Sequence, residues 1–190
     1  FCGCGGLSLG FEMAGFDIQC GIDNDETAAK TFESNHKSST FLPRDINDQS
    51  LKNEIDEVLK GKKITGIVGG PPCQGFSLTG PRNFKDPRNA LYLKYWEFIR
   101  DYYPDFFVIE NVPGIAGLYG GKVREDIIER FSSLSYKVTD NLVLVADYGV
   151  PQLRRRMFFV GLKKSFGKFK FPQPTHAESN YVSCEDAIGD

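Results

Sequence analysis

The sequence predicts an α/β fold built on an open sheet of buried parallel strands, for three reasons. Short, largely apolar runs at residues 64–68 and 105–109 are continuous rather than alternating, the pattern of strands covered on both faces. Amphipathic segments separate such runs; in residues 51–59, Leu51, Ile55, Val58 and Leu59 share one helical face. The chain also opens on Phe1-Cys2-Gly3-Cys4-Gly5-Gly6, a glycine turn of the kind that lets a nucleotide-like ligand lie against backbone at a helix N-terminus. In an open α/β sheet, ligands bind beyond the carboxyl ends of the strands. The residues that end each strand are therefore the candidates for function.

Bulk composition narrows the classes. With 190 residues, 41% hydrophobic and 25% charged, the chain suits one globular domain. A net charge of −2 argues against a uniformly basic nucleic-acid coat while leaving room for a local basic rim. Cys2, Cys4, Cys20, Cys73 and Cys184 form an odd set without CxxC pairs, so neither a disulfide framework nor a metal site is expected. No run of about 18 apolar residues is present, so no membrane span is expected and the reading is a cytoplasmic protein. Phe1 reads as the last residue of a strand, and the chain stops just after a helix-like stretch at 184–189. Both ends read as cut from something longer.

In chain order, residues 7–15 read as a short helix and 18–22 as a strand ending in Asp23-Asn24-Asp25. An acid about 20 residues beyond the glycines suits ribose hydroxyls; Asp23 or Asp25 is equally suited to capping the helix predicted over 26–34. A third strand over 41–46 carries Asp45 and Ile46. The run 64–68 leads into Gly69-Gly70-Pro71-Pro72-Cys73-Gln74-Gly75-Phe76-Ser77. Prolines fix the backbone before Cys73 and Gly75 frees it afterwards, so the thiol is either presented as a nucleophile or packed beside a turn. Residues 78–89, with Arg82, Lys85 and Arg88, read as a loop and 91–103 as a helix. The strand over 105–109 runs into Glu110-Asn111-Val112, where Glu110 is a functional carboxylate, a solvated strand end or a cap. A helix over 123–134 and strands over 136–146 and 157–162 follow. Between those strands, alternation in Gln152-Leu153-Arg154-Arg155-Arg156 puts Gln152, Arg154 and Arg156 on one face of an extended segment, suited to phosphate or a base carbonyl, or to a solvated basic turn.

Taken in order, Phe1-x-Gly3-x-Gly5-Gly6, Pro71-Pro72-Cys73-Gln74, Glu110-Asn111-Val112 and Gln152-x-Arg154-x-Arg156 resemble the DNA cytosine-5 methyltransferases over nearly the whole chain. The resemblance implies a Rossmann-like S-adenosylmethionine-dependent methyltransferase fold, a mainly parallel twisted sheet with helices on both faces. It implies a catalytic and cofactor-binding domain over 1–163, with 164–190 starting a connection to a target-recognition region that this chain does not contain. The cofactor residues it implies are Phe1, Gly3, Gly5, Gly6, Asp23, Asn24, Asp45, Ile46, Gly70, Pro72 and Leu91. Asp23 stands where the family usually has glutamate, and Asn24 where an apolar or aromatic residue often packs on adenine.

The same resemblance implies catalysis by Cys73, Glu110, Arg154 and Arg156, with Pro71, Gln74, Ser77, Arg88, Asn111, Val112 and Gln152 on the substrate side. Cytosine carbon 5 is too weak a nucleophile for a sulfonium methyl, and a thiolate adding at carbon 6 turns the ring into an enamine-like nucleophile. Glu110, holding a proton near ring N3 in a partly dry pocket, stabilises the developing charge, while the arginines meet the base and favour the thiolate. The implied partners are double-stranded DNA with the target base flipped out and, functionally, a cognate restriction endonuclease. The chain is expected to act as a monomer in a bacterial or phage setting, in cytoplasm or at the nucleoid, and without a metal. Cytosine-5 methylation of tRNA, or an inactive nucleotide-binding module, are the alternatives.

Overall fold

The computed structural model describes residues 1–72 and 90–189 of the chain. Six helices and six strands stand out among them: α1 (Gly6–Met13), β1 (Cys20–Asp23), α2 (Glu26–Asn35), β2 (Thr40–Pro43), α3 (Leu51–Leu59), β3 (Gly66–Gly69), α4 (Ala90–Tyr102), β4 (Phe106–Asn111), α5 (Lys122–Ser133), β5 (Tyr136–Leu144), β6 (Arg155–Lys163) and α6 (Cys184–Ile188). Local chemistry sets several boundaries. Asp25 caps α2, its Oδ1 accepting from the Thr27 and Ala28 amides at 2.8 and 3.4 Å. Lys60 closes α3 in the left-handed region at φ 49° and Gly61 continues there at φ 79°. Tyr103 at φ 43° ends α4 just before Pro104.

β1 and β2 pair in parallel, as do β3 and β4. The second ladder extends in the order β3-β4-β6-β5, and β6 runs antiparallel to both of its neighbours. The parallel expectation thus holds across β1 to β4, while the last two strands form an antiparallel pair. A short turn can join only antiparallel neighbours, and residues 145–154 are too few for a helical crossover. The strand predicted over 136–146 stops at Leu144, where Val145–Tyr148 coils into a 3₁₀ turn.

Adjacent residues of β4 face opposite sides of the sheet, and both sides are covered by helices. The Phe106 ring stacks against Phe11 of α1, with centroids 5.8 Å apart. The Phe107 ring meets Phe131 of α5 at 4.3 Å. Glycines make room for these rings, since a Cβ at Gly66 would lie 2.2 Å from Phe106 and one at Gly161 2.0 Å from Phe107. The main core gathers Ile99, Phe107, Ile109, Ile127, Phe131, Tyr136 and Phe159, and each such burial is worth about 1.5–3 kcal/mol. Val123, Ile127 and Phe131 recur every four residues to form the buried face of α5. Leu42, Leu51, Ile55 and Leu59 make a second cluster under β2.

The backbone of Phe1 and Cys2 joins the two ladders. The Phe1 and Cys2 nitrogens both donate to the Ile22 carbonyl, at 2.5 and 3.1 Å, and the Gly70 amide donates to the Phe1 carbonyl at 3.4 Å. Behind them, β1 and β3 flank an apolar cavity of about 590 Å³ that reaches Phe98, Tyr102 and Phe106. Residues 164–189 fold back onto the turn after β5. The Thr175 and His176 amides donate to the Asp147 carbonyl at 2.9 and 3.0 Å, and the Tyr181 hydroxyl donates to the Asp147 carboxylate at 2.6 Å. No described helix is long and apolar enough to cross a membrane.

Candidate active site

The glycine turn and the ends of β1 and β2 form one half of the site. The Gly3 amide donates to Asp23 Oδ2 at 2.8 Å, tying the turn to the end of β1. With Asp25 occupied as a helix cap, Asp23 is the acid that faces the turn. Asp45 sits beyond β2, where its Oδ1 accepts from the Asn47 amide at 2.8 Å. Asn24 donates its side-chain amide to Asp45 Oδ2 at 3.5 Å, so this residue joins the polar wall. Ile46 turns the other way, toward the apolar cluster of Leu42 and Leu51. The strand predicted over 41–46 ends at Pro43, leaving Asp45 and Ile46 in the loop after it. Leu91 is half-buried in the first turn of α4.

These residues fit an adenosine-bearing cofactor. A Cβ at Gly3 or Gly6 would meet nothing within 4 Å, so the outer side of the turn is open space beside the Asp23 and Asp45 carboxylates. Carboxylates are acceptors only, which suits the hydroxyl and amine donors of such a group.

The other half lies where β3 and β4 end. Pro71 is fully buried, and its carbonyl accepts from the Asn111 side-chain amide at 2.9 Å. The Asn111 Oδ1 accepts from the Val112 amide, also at 2.9 Å. Asn111 is itself 5% exposed, so its side chain holds the chain leading out of β3, while Val112 stands half exposed at 50%. Gly70 abuts Glu110, whose Oε2 would lie 3.3 Å from a Cβ at position 70. Pro72 is half-buried. Cys73, Gln74, Ser77 and Arg88 lie outside the described residues.

Glu110 collects the arginines. Its Oε1 lies 2.8 Å from Arg156 Nε and 3.8 Å from Arg154 Nη2. The reversal of β6 explains the meeting. Asn111 of β4 pairs with Met157, so Arg156 precedes that pair at the edge where β4 ends. Residues 150–154 are not a regular extended segment, because the Gln152 and Arg154 amides donate two residues back, to Val150 and Gln152 carbonyls at 2.7 and 2.8 Å. Gln152, Arg154, Arg155 and Arg156 nevertheless line one open cavity of about 860 Å³, with Pro113 and Tyr181 on its other walls. This is a local basic rim on a chain of net charge −2. Pro113, Arg155 and Tyr181 carry no motif signal; only the fold-back of the segment after β6 brings Tyr181 here. Glu12 and His36 also escape a motif reading, and they meet beneath the glycine turn.

The remaining thiols have no place in this geometry. Burial pushes Cys2 and Cys20 up to about 11, far above the range in which a thiolate forms near neutral pH. Cys4 and Cys184 are exposed, and the Cys184 thiol donates to the Pro151 carbonyl at 3.4 Å.

A glycine turn with acids at the carboxyl ends of β1 and β2, and a Glu-Arg pair at the carboxyl ends of β3 and β4, define a Rossmann-like methyltransferase. The profile of the C-5 cytosine-specific DNA methylases matches residues 1–190, and the chain belongs to that family. It is 41% identical over its whole length to the Type II methyltransferase M.DdeI of Desulfomicrobium norvegicum, of which it covers 46%. It is 40% identical to M1.HphI of Haemophilus parahaemolyticus, covering 50%. The chain thus spans about half the length of the curated relatives it matches. Among solved structures, a candidate DNA modification methyltransferase encoded within an E. coli prophage superposes with a TM-score of 0.80 at 35% identity, over 98% of this chain and 52% of that one.

Proposed function

We propose that this chain is the part of a DNA methyltransferase that binds S-adenosylmethionine and methylates carbon 5 of a flipped-out cytosine through a covalent Cys73 adduct at carbon 6. The observation that carries the reading is the convergence of Glu110, Arg154 and Arg156 at the edge where Asn111 grips Pro71, two residues before Cys73. A nucleophile, a carboxyl group and two cations are what addition to a pyrimidine ring needs.

In this mechanism the cofactor supplies an electrophilic sulfonium methyl, which Phe1, Gly3, Gly5, Gly6, Asp23, Asn24 and Asp45 present at one end of the sheet. Cys73 adds to carbon 6 as thiolate. Glu110 leaves its pairing with Arg156 to meet ring N3 and the exocyclic amine, sharing a proton as charge builds there. Arg156 and Arg154 then face the base O2 and the adjoining backbone. Gln152, Val112 and the basic cavity border the flipped nucleotide. Loss of the carbon 5 proton and expulsion of Cys73 complete the turnover. Double-stranded DNA is the substrate of this reading, with a cognate restriction endonuclease as functional partner and a monomer as the acting species.

The test is trapping on duplex oligonucleotides carrying 5-fluorocytosine, with S-adenosylmethionine, in the full-length protein and its Cys73→Ser variant. Fluorine cannot leave as a proton does, so the adduct stalls. A cofactor-dependent adduct lost in Cys73→Ser is expected. No adduct on duplex DNA but one on fluorinated tRNA would replace the substrate, and no adduct on either would sink the enzyme reading.

A further inference from the structure

His36 has a buried side chain with no exposed surface, and both ring nitrogens face acceptors. Nδ1 lies 2.7 Å from Glu12 Oε2 and Nε2 lies 3.1 Å from the Gly5 carbonyl oxygen. A peptide carbonyl can only accept, so the Nε2 position carries a hydrogen. The Nδ1 contact then holds one shared proton, whether it resides on imidazole or on carboxyl. The ring packs on Phe32, with centroids 4.3 Å apart, and this fills the floor beneath the turn. A Cβ at Gly5 would stand 2.2 Å from His36 Nε2 and 2.8 Å from Phe32. Three separate pieces of chain meet at this imidazole: α1 through Glu12, the end of α2 through His36, and the glycine turn through Gly5.

The Gly5 carbonyl belongs to the same peptide plane as the Gly6 N–H, and in a trans peptide the two point in opposite directions. Gripping the carbonyl from below therefore aims the Gly6 amide outward. That amide belongs to the first turn of α1, where no intrahelical acceptor exists, and the space over Gly6 is open. Gly5 is held at φ 86°, a conformation with broad freedom for glycine, so an external contact is needed to fix the plane. The Leu9 amide, donating to the same carbonyl at 2.8 Å, supplies one restraint and His36 the other.

We propose that His36, oriented by Glu12, is a positioning residue for the cofactor turn: it locks the Gly5–Gly6 peptide so that the Gly6 amide is presented to the bound cofactor. The assignment rests on the cofactor reading of this turn given above. It makes His36 matter for cofactor affinity and not for the chemistry at Glu110 and Cys73.

The experiment measures calorimetric affinity of the DNA-free full-length protein for S-adenosylhomocysteine, together with KM values and thermal midpoints, for wild type, His36→Leu, His36→Gln and Glu12→Ala. His36→Leu is expected to weaken cofactor binding about tenfold, the loss of one buried hydrogen bond, with the KM for DNA and kcat at saturating cofactor within twofold of wild type. His36→Gln, which keeps an amide donor for the Gly5 carbonyl, is expected to recover most of the affinity. Glu12→Ala trims a partly exposed side chain and is expected to weaken binding about threefold by freeing the ring, with the thermal midpoint reporting its effect on the fold. A wild-type affinity in both His36→Leu and Glu12→Ala overturns the assignment, as does equal weakening in His36→Leu and His36→Gln. If His36→Leu does not fold, Glu12→Ala and His36→Gln decide by the same criteria. Absence of binding by wild type itself overturns the cofactor reading and this assignment with it.

Discussion

Replacing Asn111 with alanine removes the clamp between β4 and the chain that leads to Cys73. The hydrogen bonds lost include those from the side-chain amide to the Pro71 carbonyl and from the Val112 amide to Oδ1, both 2.9 Å. Val112 is half exposed, so water replaces its lost partner at little cost. Pro71 is fully buried, and leaving its carbonyl without this donor costs about 1–3 kcal/mol. For a chain of this size, that lowers the thermal midpoint by roughly 2–12 °C. If the clamp positions the Cys73 loop, the same energy is withdrawn from adduct formation, a slowing of about 5- to 150-fold. Rapid-quench formation of the 5-fluorocytosine adduct at saturating DNA and cofactor reads the rate, and a thermal melt reads the stability. Asn111→Asp sharpens the comparison, because it retains an acceptor for the Val112 amide but presents an acceptor to the Pro71 carbonyl. It is expected to be at least as slow as Asn111→Ala. A lowered midpoint with a wild-type adduct rate in both variants would refute the reasoning and leave Asn111 a support for the end of β4 alone.

Other consequences can be checked on the folded chain. Gly161→Ala sets a methyl 2.0 Å from the Phe107 ring in the middle of β6, and this overpacking is expected to destabilise by about 1–3 kcal/mol in urea titrations, whereas Gly114→Ala, where a Cβ meets nothing within 4 Å, leaves the midpoint near wild type. Lys163 foremost, then Lys63, hold the Asp105 carboxyl below the usual carboxylate range. A folded-state value below the unfolded one means that this stabilisation is present above about pH 4 and fades as pH falls through the folded value. Asp105→Asn is therefore expected to flatten the acid limb of stability measured from pH 2 to 6. In a Cys73→Ser background, a thiol reagent at pH 8 is expected to modify Cys4 and Cys184 at once, and Cys2 and Cys20 only after unfolding, because burial pushes the latter pair up to about 11. Rapid modification of four thiols in the native protein would contradict the packing around β1.

Much of the scaffold was legible because its signals are local. The helix predicted over 51–59 is α3 residue for residue, since its apolar face, Leu51, Ile55 and Leu59, has no competing period. The helix over 26–34 is α2 less one residue, and Asp25 and Thr27 mark its start. Direction and distance were less legible. Nothing in residues 157–162 says that the strand runs antiparallel, because direction is set by which neighbour buries it and by the length of the connection. The 3₁₀ turns at Pro113–Ala116 and Leu118–Gly121 follow from a proline and glycines whose spacing fits several turn types. Within the site, Asp23 and Asp25 were indistinguishable in sequence; the structure separates them because only Asp25 precedes free helix amides. His36 was invisible as a functional candidate because its partners, at positions 5 and 12, belong to a different element.

The two halves of the site are built by different means, and this determines how each responds to change. The cofactor half is assembled chiefly from the N-terminal quarter of the chain: the turn, the ends of β1 and β2, and one imidazole beneath them. The reaction half depends on long-range assembly. Glu110 is placed by β4, and its arginines arrive only because β6 inserts beside β4 with Asn111 opposite Met157. The turn feeding β6 is pinned in its own right, since the Asp147 carbonyl accepts from the Thr175 and His176 amides and the Tyr148 hydroxyl donates to the Pro172 carbonyl at 3.0 Å. A lesion in the segment after β6, such as Tyr181→Phe, removes the donor held 2.6 Å from the Asp147 carboxylate and reaches the arginines through that turn. It is therefore expected to impair target engagement while leaving cofactor affinity intact. Measuring both affinities in that variant separates the halves, and a parallel loss of cofactor affinity would show that they are coupled through the sheet.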